Sequence, residues 1–195
     1  MSFLRISTIL SFFLVLGSFA SPLSCSQQSS DVPRLLQQLE SDETTDSAAE
    51  QLLKLGRSDP KARQDLVRHL PLMIQKGPVE SRPWSNAVQL AGTLKIAEAA
   101  PGLAKWIYED AGGTLTLATT TRLEDDPAAK ALAQIGDPSL PAVSPLLKSS
   151  NLNKRWSAAL VLYNIGTPAA KNTLREHLKH ETDASLRDFI RKSLQ

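Results

Sequence analysis

Two histidines near the C-terminus come closest, in residue type and spacing, to a chemical site. His177 and His180 lie three positions apart, and Glu176 and Glu181 flank them. On a helix this spacing places both imidazoles on one face, where they could bind zinc. A zinc site also needs a third ligand and a second shell, and the remaining histidine, His69, lies far earlier in the chain. The sequence therefore favours a solvated helix surface, and no metal is predicted.

Two other groups of reactive side chains also fall short of a catalytic set. Glu124, Asp125 and Asp126 precede Pro127, a position where carboxylates favour the positive end of a helix dipole. Cys25 is the only cysteine and precedes the predicted fold, so a Cys–His nucleophile is not expected. The chain contains no G-x-S-x-G, no glycine-rich phosphate loop and no H-E-x-x-H. We predict a protein that is not an enzyme and has no cofactor.

The remaining candidates are partner-binding residues. Lys171, Arg175 and Lys179 recur every four residues and form a basic stripe along one predicted helix. Trp106 lies on the corresponding helix of an earlier unit. Two interpretations stay open, namely a surface that contacts a partner, or a core tryptophan accompanied by solvated cations.

Helical hairpins must position these residues. The segment RWSAALVLYNIG, residues 155–166, places an arginine, an alanine, a leucine and an isoleucine on one helical face and ends in glycine. Thr167 and Pro168 then restart the chain as an N-cap and a first-turn proline. The same alanine, leucine and glycine spacing recurs at residues 48–56 and 128–136, with a weaker copy at 84–94. Each glycine, including Gly56, is predicted to end its helix.

The repeated segments resemble a known family. IGDPSLPAVSPLL (135–147) and NIGTPAAKNTLREHL (164–178) resemble HEAT repeats of the bacterial, phycobilisome-lyase-like type. The resemblance covers roughly residues 31–195 and implies an all-α superhelix, a HEAT-like solenoid of about four helical hairpins plus a terminal helix. It implies a curved binding surface and no catalytic residues. It also implies that Arg155 pairs with Asp137 of the neighbouring Gly-Asp-Pro turn.

The N-terminal stretch has the composition of an export signal. Residues 1–24 combine Arg5, an apolar run at 6–16 and the small residues Gly17, Ser18 and Ala20, as in a secretory signal peptide. Two cleavage routes stay open: cleavage after Ala20, or a lipoprotein signal ending at Cys25, which would then be the lipidated residue. Residues 25–30 form a polar tether, and residues 31–195 form the repeat domain.

The net charge helps to choose among the possible functions. The formal net charge of +2 does not indicate a nucleic-acid-binding protein, although residues 127–195 carry ten basic and five acidic side chains. We predict an exported HEAT-repeat scaffold of the periplasm or cell envelope, non-catalytic, that binds another protein and no nucleic acid. The alternatives are a chromophore-handling, lyase-like protein and a nucleic-acid-binding solenoid. The irregular stretch 110–126 is either a structural insertion or a partner-contact loop.

Overall fold

The computed structural model describes residues 31–77, 81–107 and 122–195. Within these ranges the chain forms ten α-helices joined by short turns and 3₁₀ segments, and it contains no strand. The predicted signal segment, the tether with Cys25, and most of the stretch 110–126 lie outside the described residues. The helices are α1 (Val32–Leu39), α2 (Thr45–Ser58), α3 (Pro60–Lys76), α4 (Arg82–Thr93), α5 (Ala100–Trp106), α6 (Pro127–Ile135), α7 (Leu140–Val143), α8 (Leu152–Ile165), α9 (Pro168–Leu178) and α10 (Ala184–Ser193).

Three helices begin at an oxygen-bearing residue followed by proline, which is the pattern that the sequence predicts at Thr167 and Pro168. The side chains of Asp59, Asp126 and Thr167 each accept a hydrogen bond from a backbone N–H two or three residues later, at 2.8, 2.9 and 3.2 Å. Each bond satisfies one of the amides that the first helical turn leaves without a partner. Proline fits the next position because the N–H it lacks would have been unpaired there.

The glycines end two helices and serve a different purpose in a third. Gly166 adopts the left-handed conformation after α8, with φ 67° and ψ 0°, and Gly136 follows α6 with φ 82°. The prediction for Gly56 is wrong, because α2 continues to Ser58. A Cβ atom on Gly56 would lie 2.8 Å from methyl carbons of both Leu66 and Leu94. Its role is therefore to let two neighbouring segments pack closely against α2.

The hairpins stack in two layers. The first helices of the four units, α2, α4, α6 and α8, pack in that order, and α1 covers the outer side of α2. The second helices α3, α5 and α7 form the other layer, while α9 packs on α8 and α10. Buried alanine and leucine side chains, such as Ala48, Leu52, Ala158 and Leu162, fill the space between the layers. This arrangement confirms the all-α, HEAT-like solenoid of four hairpins with a terminal helix.

The second helix of the third unit is unusually short. Pro138, Pro141 and Pro145 lack backbone N–H groups, so a regular α-helical ladder cannot extend across this stretch. Helix α7 is limited to Leu140–Val143, and the chain continues as a 3₁₀ segment over Ser144–Lys148. In the described chain, α7 packs against α5 but packs much less against α9. A gap therefore remains in the layer of second helices.

A helix that crosses a bilayer must be both long and apolar. None of the helices in residues 31–77, 81–107 and 122–195 combines sufficient length with sufficient hydropathy to cross a membrane.

Candidate functional site

The gap between the last two units is a cleft of about 940 Å³. One wall is the 3₁₀ segment Ser144–Lys148, and the other is the face of α9 that carries Asn172, Glu176 and His177. Both walls belong to the layer of second helices. Arg155, at the start of α8, and Glu181, just after α9, lie at the end of the cleft where the two units are connected.

A buried carboxylate organises this end of the cleft. The side chain of Glu181 is 1% exposed, and that of Arg155 is 15% exposed. Nε and Nη2 of Arg155 donate to the two oxygens of Glu181 at 2.9 and 3.1 Å, which is the bidentate geometry preferred by a guanidinium and a carboxylate. The pair joins the first helix of the fourth unit to the segment that precedes α10.

Three further donors complete the shell around Glu181. The backbone N–H groups of Thr182 and Asp183 donate to Oε1 at 2.9 and 2.8 Å, and Nε2 of His177 lies 2.8 Å from Oε2. The carboxylate is thus surrounded by donors from a side chain on α8, a side chain on α9 and the connecting backbone. A buried charge is tolerated in a fold only when it is paired and hydrogen-bonded in this way.

These contacts keep Glu181 ionised. Burial by itself would raise the pKa of the carboxyl, since it disfavours the charged form. The hydrogen bonds from Arg155, the Asp183 backbone and His177, together with the charge of Arg155, outweigh burial and lower the pKa of Glu181 from 4.5 to about 2. At neutral pH the group is a permanent anion and an acceptor only.

Arg155 does not make the contact that the family resemblance implies. Asp137 accepts a hydrogen bond from Oγ1 of Thr167, while Nη1 of Arg155 donates to the carbonyl of Ser149 at 2.9 Å. The reason is position along the helix. Arg155 lies in the first turn of α8, whereas Asp137 and Thr167 lie beside the turns within the hairpins, about 16 Å away at 1.5 Å per residue. The arginine therefore braces the connection between units.

His177 is the buried ionisable side chain that faces the cleft without a complete set of partners. Its side chain is 10% exposed and lines the cleft. Because Glu181 is ionised, the ring nitrogen next to it must carry the proton, so Nε2–H is a donor. In the neutral ring Nδ1 is then a bare acceptor. No residue of the described chain donates to Nδ1.

The two other charged side chains of the cleft, Glu176 and Lys148, differ in whether they are paired. Glu176 is fully exposed at the rim, and Nζ of Lys179 lies 2.7 Å from its carboxylate. Hydrogen bonding and the charge of Lys179 lower the pKa of Glu176 below its ordinary value. Lys148 is exposed on the opposite wall, and within the described chain it has no acidic partner.

The predicted basic stripe lies beside the cleft. At 100° per residue, the α9 residues that line the cleft occupy one face, and Arg175 and Lys179 lie next to it while Lys171 points away. Arg175 and Lys179 are exposed, Arg175 donates to the side-chain oxygen of Asn172, and Lys171 is half-buried. The partner-binding role of the stripe stays a prediction.

Trp106 lies away from the cleft, at the junction of the first two units. Its indole N–H donates to the carbonyl of Ile74 at 2.7 Å, and the indole of Trp84 donates to the same oxygen at 3.2 Å. Ile74 is in the last turn of α3, where carbonyls lack i+4 helical partners, and its oxygen accepts the two indole N–H groups in addition to the backbone N–H of Gly77 at 3.4 Å. Trp106 is half-buried, with Nζ of Lys105 4.4 Å from its ring centroid. Its role in partner binding also stays a prediction.

The histidine pair is divided between two environments. His177 bonds the buried Glu181, whereas His180 is exposed at the rim of the cleft. In the ranges that the structure describes, no cluster of three or more His, Cys, Asp and Glu side chains could hold a metal ion.

The sequence pattern did not reveal the central role of Glu181. This residue follows the last helical turn of α9, and nothing in its immediate neighbourhood distinguishes it from a surface glutamate. Its partner Arg155 occupies the arginine position of the repeat, which was the available signal. A search for an acidic residue near the start of the next repeat could have identified Glu181 as the partner of Arg155.

Two stacked layers of helical hairpins define the protein as an α-solenoid. A family model described as HEAT repeats matches residues 126–195, which form the third and fourth units and α10. The comparison with curated proteins finds no match. Among solved structures, the crystal structure of an engineered protein from the Northeast Structural Genomics Consortium is similar, with 20% identity, a TM-score of 0.43, and coverage of 84% of this chain and 77% of that chain.

Proposed function

We propose that this protein is an exported scaffold that binds another protein through the cleft between its last two units. HEAT repeats are in general protein-interaction modules, and the cleft lies within the residues that match them. The carrying observation is the cleft itself. It is an open gap of about 940 Å³ in the layer of second helices, next to a nine-tenths buried histidine.

The chemistry of Glu181 supports a structural role for this residue. An acid–base residue needs a pKa near the working pH, and that of Glu181 is about 2. Its two oxygens are already occupied by five hydrogen-bond donors. The Arg155–Glu181 pair therefore acts as a brace at the end of the cleft.

Photo-crosslinking tests the proposed interface. A photoreactive phenylalanine analogue replaces Asn172, which lines the cleft, and in a matched control it replaces Lys54, which is exposed on α2. We expect a crosslinked partner from position 172 and none from position 54, with both variants folded by circular dichroism. Equal yields from the two positions, or no yield from position 172, would contradict the cleft as the interface.

The basic stripe enters the same experiment as a second variable. Reversal of Lys171, Arg175 and Lys179 to glutamate should lower the yield at position 172, because Arg175 and Lys179 flank the cleft. An unchanged yield would remove the stripe from the interface. The same comparison with Trp106→Ala tests whether that side chain contributes to partner binding.

Export and lipid anchoring are proposed from the N-terminal sequence. Residues 1–24 have the pattern of a signal peptide, and Cys25 precedes a polar tether. We expect the intact mass of the membrane-associated protein to include acyl chains, and these should be lost in Cys25→Ala. A soluble product that begins at Ser21 would refute the anchor and leave export standing. A product that retains Met1 in both fractions would refute export.

A further inference from the structure

We propose that the partner segment that enters the cleft is an extended acidic peptide, which pairs a carboxylate with Lys148 and donates a hydrogen bond to Nδ1 of His177. This inference rests on the proposed function and adds the chemistry of the partner. Two independent features of the cleft support it, one from hydrogen bonding and one from charge.

The first feature is the incomplete hydrogen bonding of His177. The side chain is 10% exposed, and Nε2 is fixed by Glu181 at 2.8 Å. The ring cannot rotate to satisfy Nδ1 without breaking that bond. A mostly buried acceptor without a donor is costly, and in proteins such groups are usually satisfied by a neighbour, a water or a ligand. A ligand that carries an N–H or O–H, such as a peptide backbone, supplies the missing donor.

The second feature is the charge that remains after internal pairing. Glu181 is matched by Arg155, and Glu176 is matched by Lys179. Lys148 has no acidic partner in the described part of the chain. The residues that line the cleft carry two cations and two anions, so the excess positive charge comes from Lys179 and Arg175 on the exposed surface beside it. The surrounding residues 127–195 carry ten basic and five acidic side chains. The complementary ligand is an anion, which positive surfaces attract and orient.

The shape of the cleft favours a chain segment over a compact molecule. Its volume of about 940 Å³ is at the upper end of the range for ligand pockets, and it is open to solvent. Lys148 and His177 lie on opposite walls. A peptide lying between them can present a side-chain carboxylate to one wall and a backbone N–H to the other.

The test begins with an unbiased ligand. A displayed library of random hexapeptides is selected on the full chain, and the enriched peptide is titrated by fluorescence anisotropy. We expect an enriched sequence rich in Asp and Glu. Lys148→Glu should weaken its binding by about tenfold at low salt, with a smaller effect as salt rises. Lys54→Glu, a reversal on the distant helix α2, is the matched control and should leave binding unchanged.

A conservative variant separates ligand binding from structure at His177. In His177→Gln the amide nitrogen replaces Nε2 and keeps the bond to Glu181, while the acceptor at Nδ1 is lost. We expect about three- to tenfold weaker peptide binding with little change in melting temperature, since one neutral hydrogen bond is removed. His69→Gln is the control, because His69 is exposed on α3.

The outcomes distinguish the inference from the proposed function. A basic or uncharged enriched sequence, or a peptide whose affinity ignores both Lys148→Glu and His177→Gln, would overturn the inference. No enriched sequence would overturn it as well. In each case, crosslinking from position 172 would still uphold the cleft as a protein interface, and its failure would remove both.

Discussion

Replacement of Glu181 by glutamine should destabilise the C-terminal units strongly, although the change is nearly isosteric. Glutamine retains one acceptor oxygen, but its NH₂ group would face the donors that now surround the carboxylate, from Arg155, His177 and the Thr182 and Asp183 backbone. The charge that balances Arg155 would also be lost. Removing one partner of a buried ion pair is far more damaging than removing a surface pair.

The magnitude follows from the pKa of Glu181. Folding lowers it from 4.5 to about 2, and one pKa unit corresponds to about 1.4 kcal/mol. The interactions of the ionised carboxylate therefore contribute about 3 kcal/mol to the free energy of unfolding. For a domain of this size that is a decrease of roughly 6–12 °C in melting temperature.

The sign of the pH dependence is fixed by the same values. Because the folded pKa is lowered, the contribution is complete above pH 4.5 and disappears as the pH falls toward about 2. The difference in unfolding free energy between the wild type and Glu181→Gln should thus be nearly constant from pH 7 to 5 and should shrink steadily below pH 4.5.

Urea denaturation followed by circular dichroism measures that difference at a series of pH values. Glu176→Gln is the matched control, because Glu176 is fully exposed at the rim and should lose no measurable stability. Amide hydrogen exchange locates the effect, which should be confined to α8, α9 and α10 because repeats contact only their neighbours. A Glu181→Gln protein as stable as Glu176→Gln, or a difference that does not change with pH, would refute this account of the cleft.

Three packing and backbone predictions accompany this one, each measured as a change in melting temperature. Gly92→Ala should destabilise by about 1–3 kcal/mol, since a Cβ there would lie 2.9 Å from the backbone Cα of Ala131 and would push α4 from α6; wild-type stability would contradict the close approach. Gly166→Ala should destabilise by about 1–2 kcal/mol, because φ is 67° and alanine is strained in that conformation; an unchanged melting temperature would contradict this strain. Leu66→Ala should destabilise by about 2–5 kcal/mol, as Leu66 is fully buried, whereas Leu72→Ala at an exposed site on the same helix should have little effect.

The parts of the fold that depend on neighbouring residues could be predicted from the sequence. Asp59, Asp126 and Thr167 cap helices through bonds to amides two or three residues away, so their function is contained in a short segment. The helical face of residues 155–166 is equally local. These features carry the periodicity and the stop signals that identify a stack of hairpins.

The features that depend on contacts between units could not be predicted in the same way. Gly56 has the spacing of a helix stop, yet it provides space for Leu66 and Leu94 from other segments. Arg155 has the expected position, but its partner Glu181 lies 26 residues later and is brought to it by the stacking of α8 and α9. The cleft itself exists because prolines shorten α7, and its lining comes from three separate segments.

The shared carbonyl of Ile74 gives the protein a built-in spectroscopic reporter. Of the three tryptophans in the chain, Trp84 and Trp106 meet at that oxygen, so their emission monitors a single place, the junction of the first two units. Trp156 lies at the other end, with its ring centroid 5.1 Å from that of Phe189 on α10. Emission from these two places can show in which order the units of the solenoid unfold. A solenoid that unravels from the C-terminal end would change its fluorescence in two steps, first around Trp156, whereas one that melts as a whole would change both signals together.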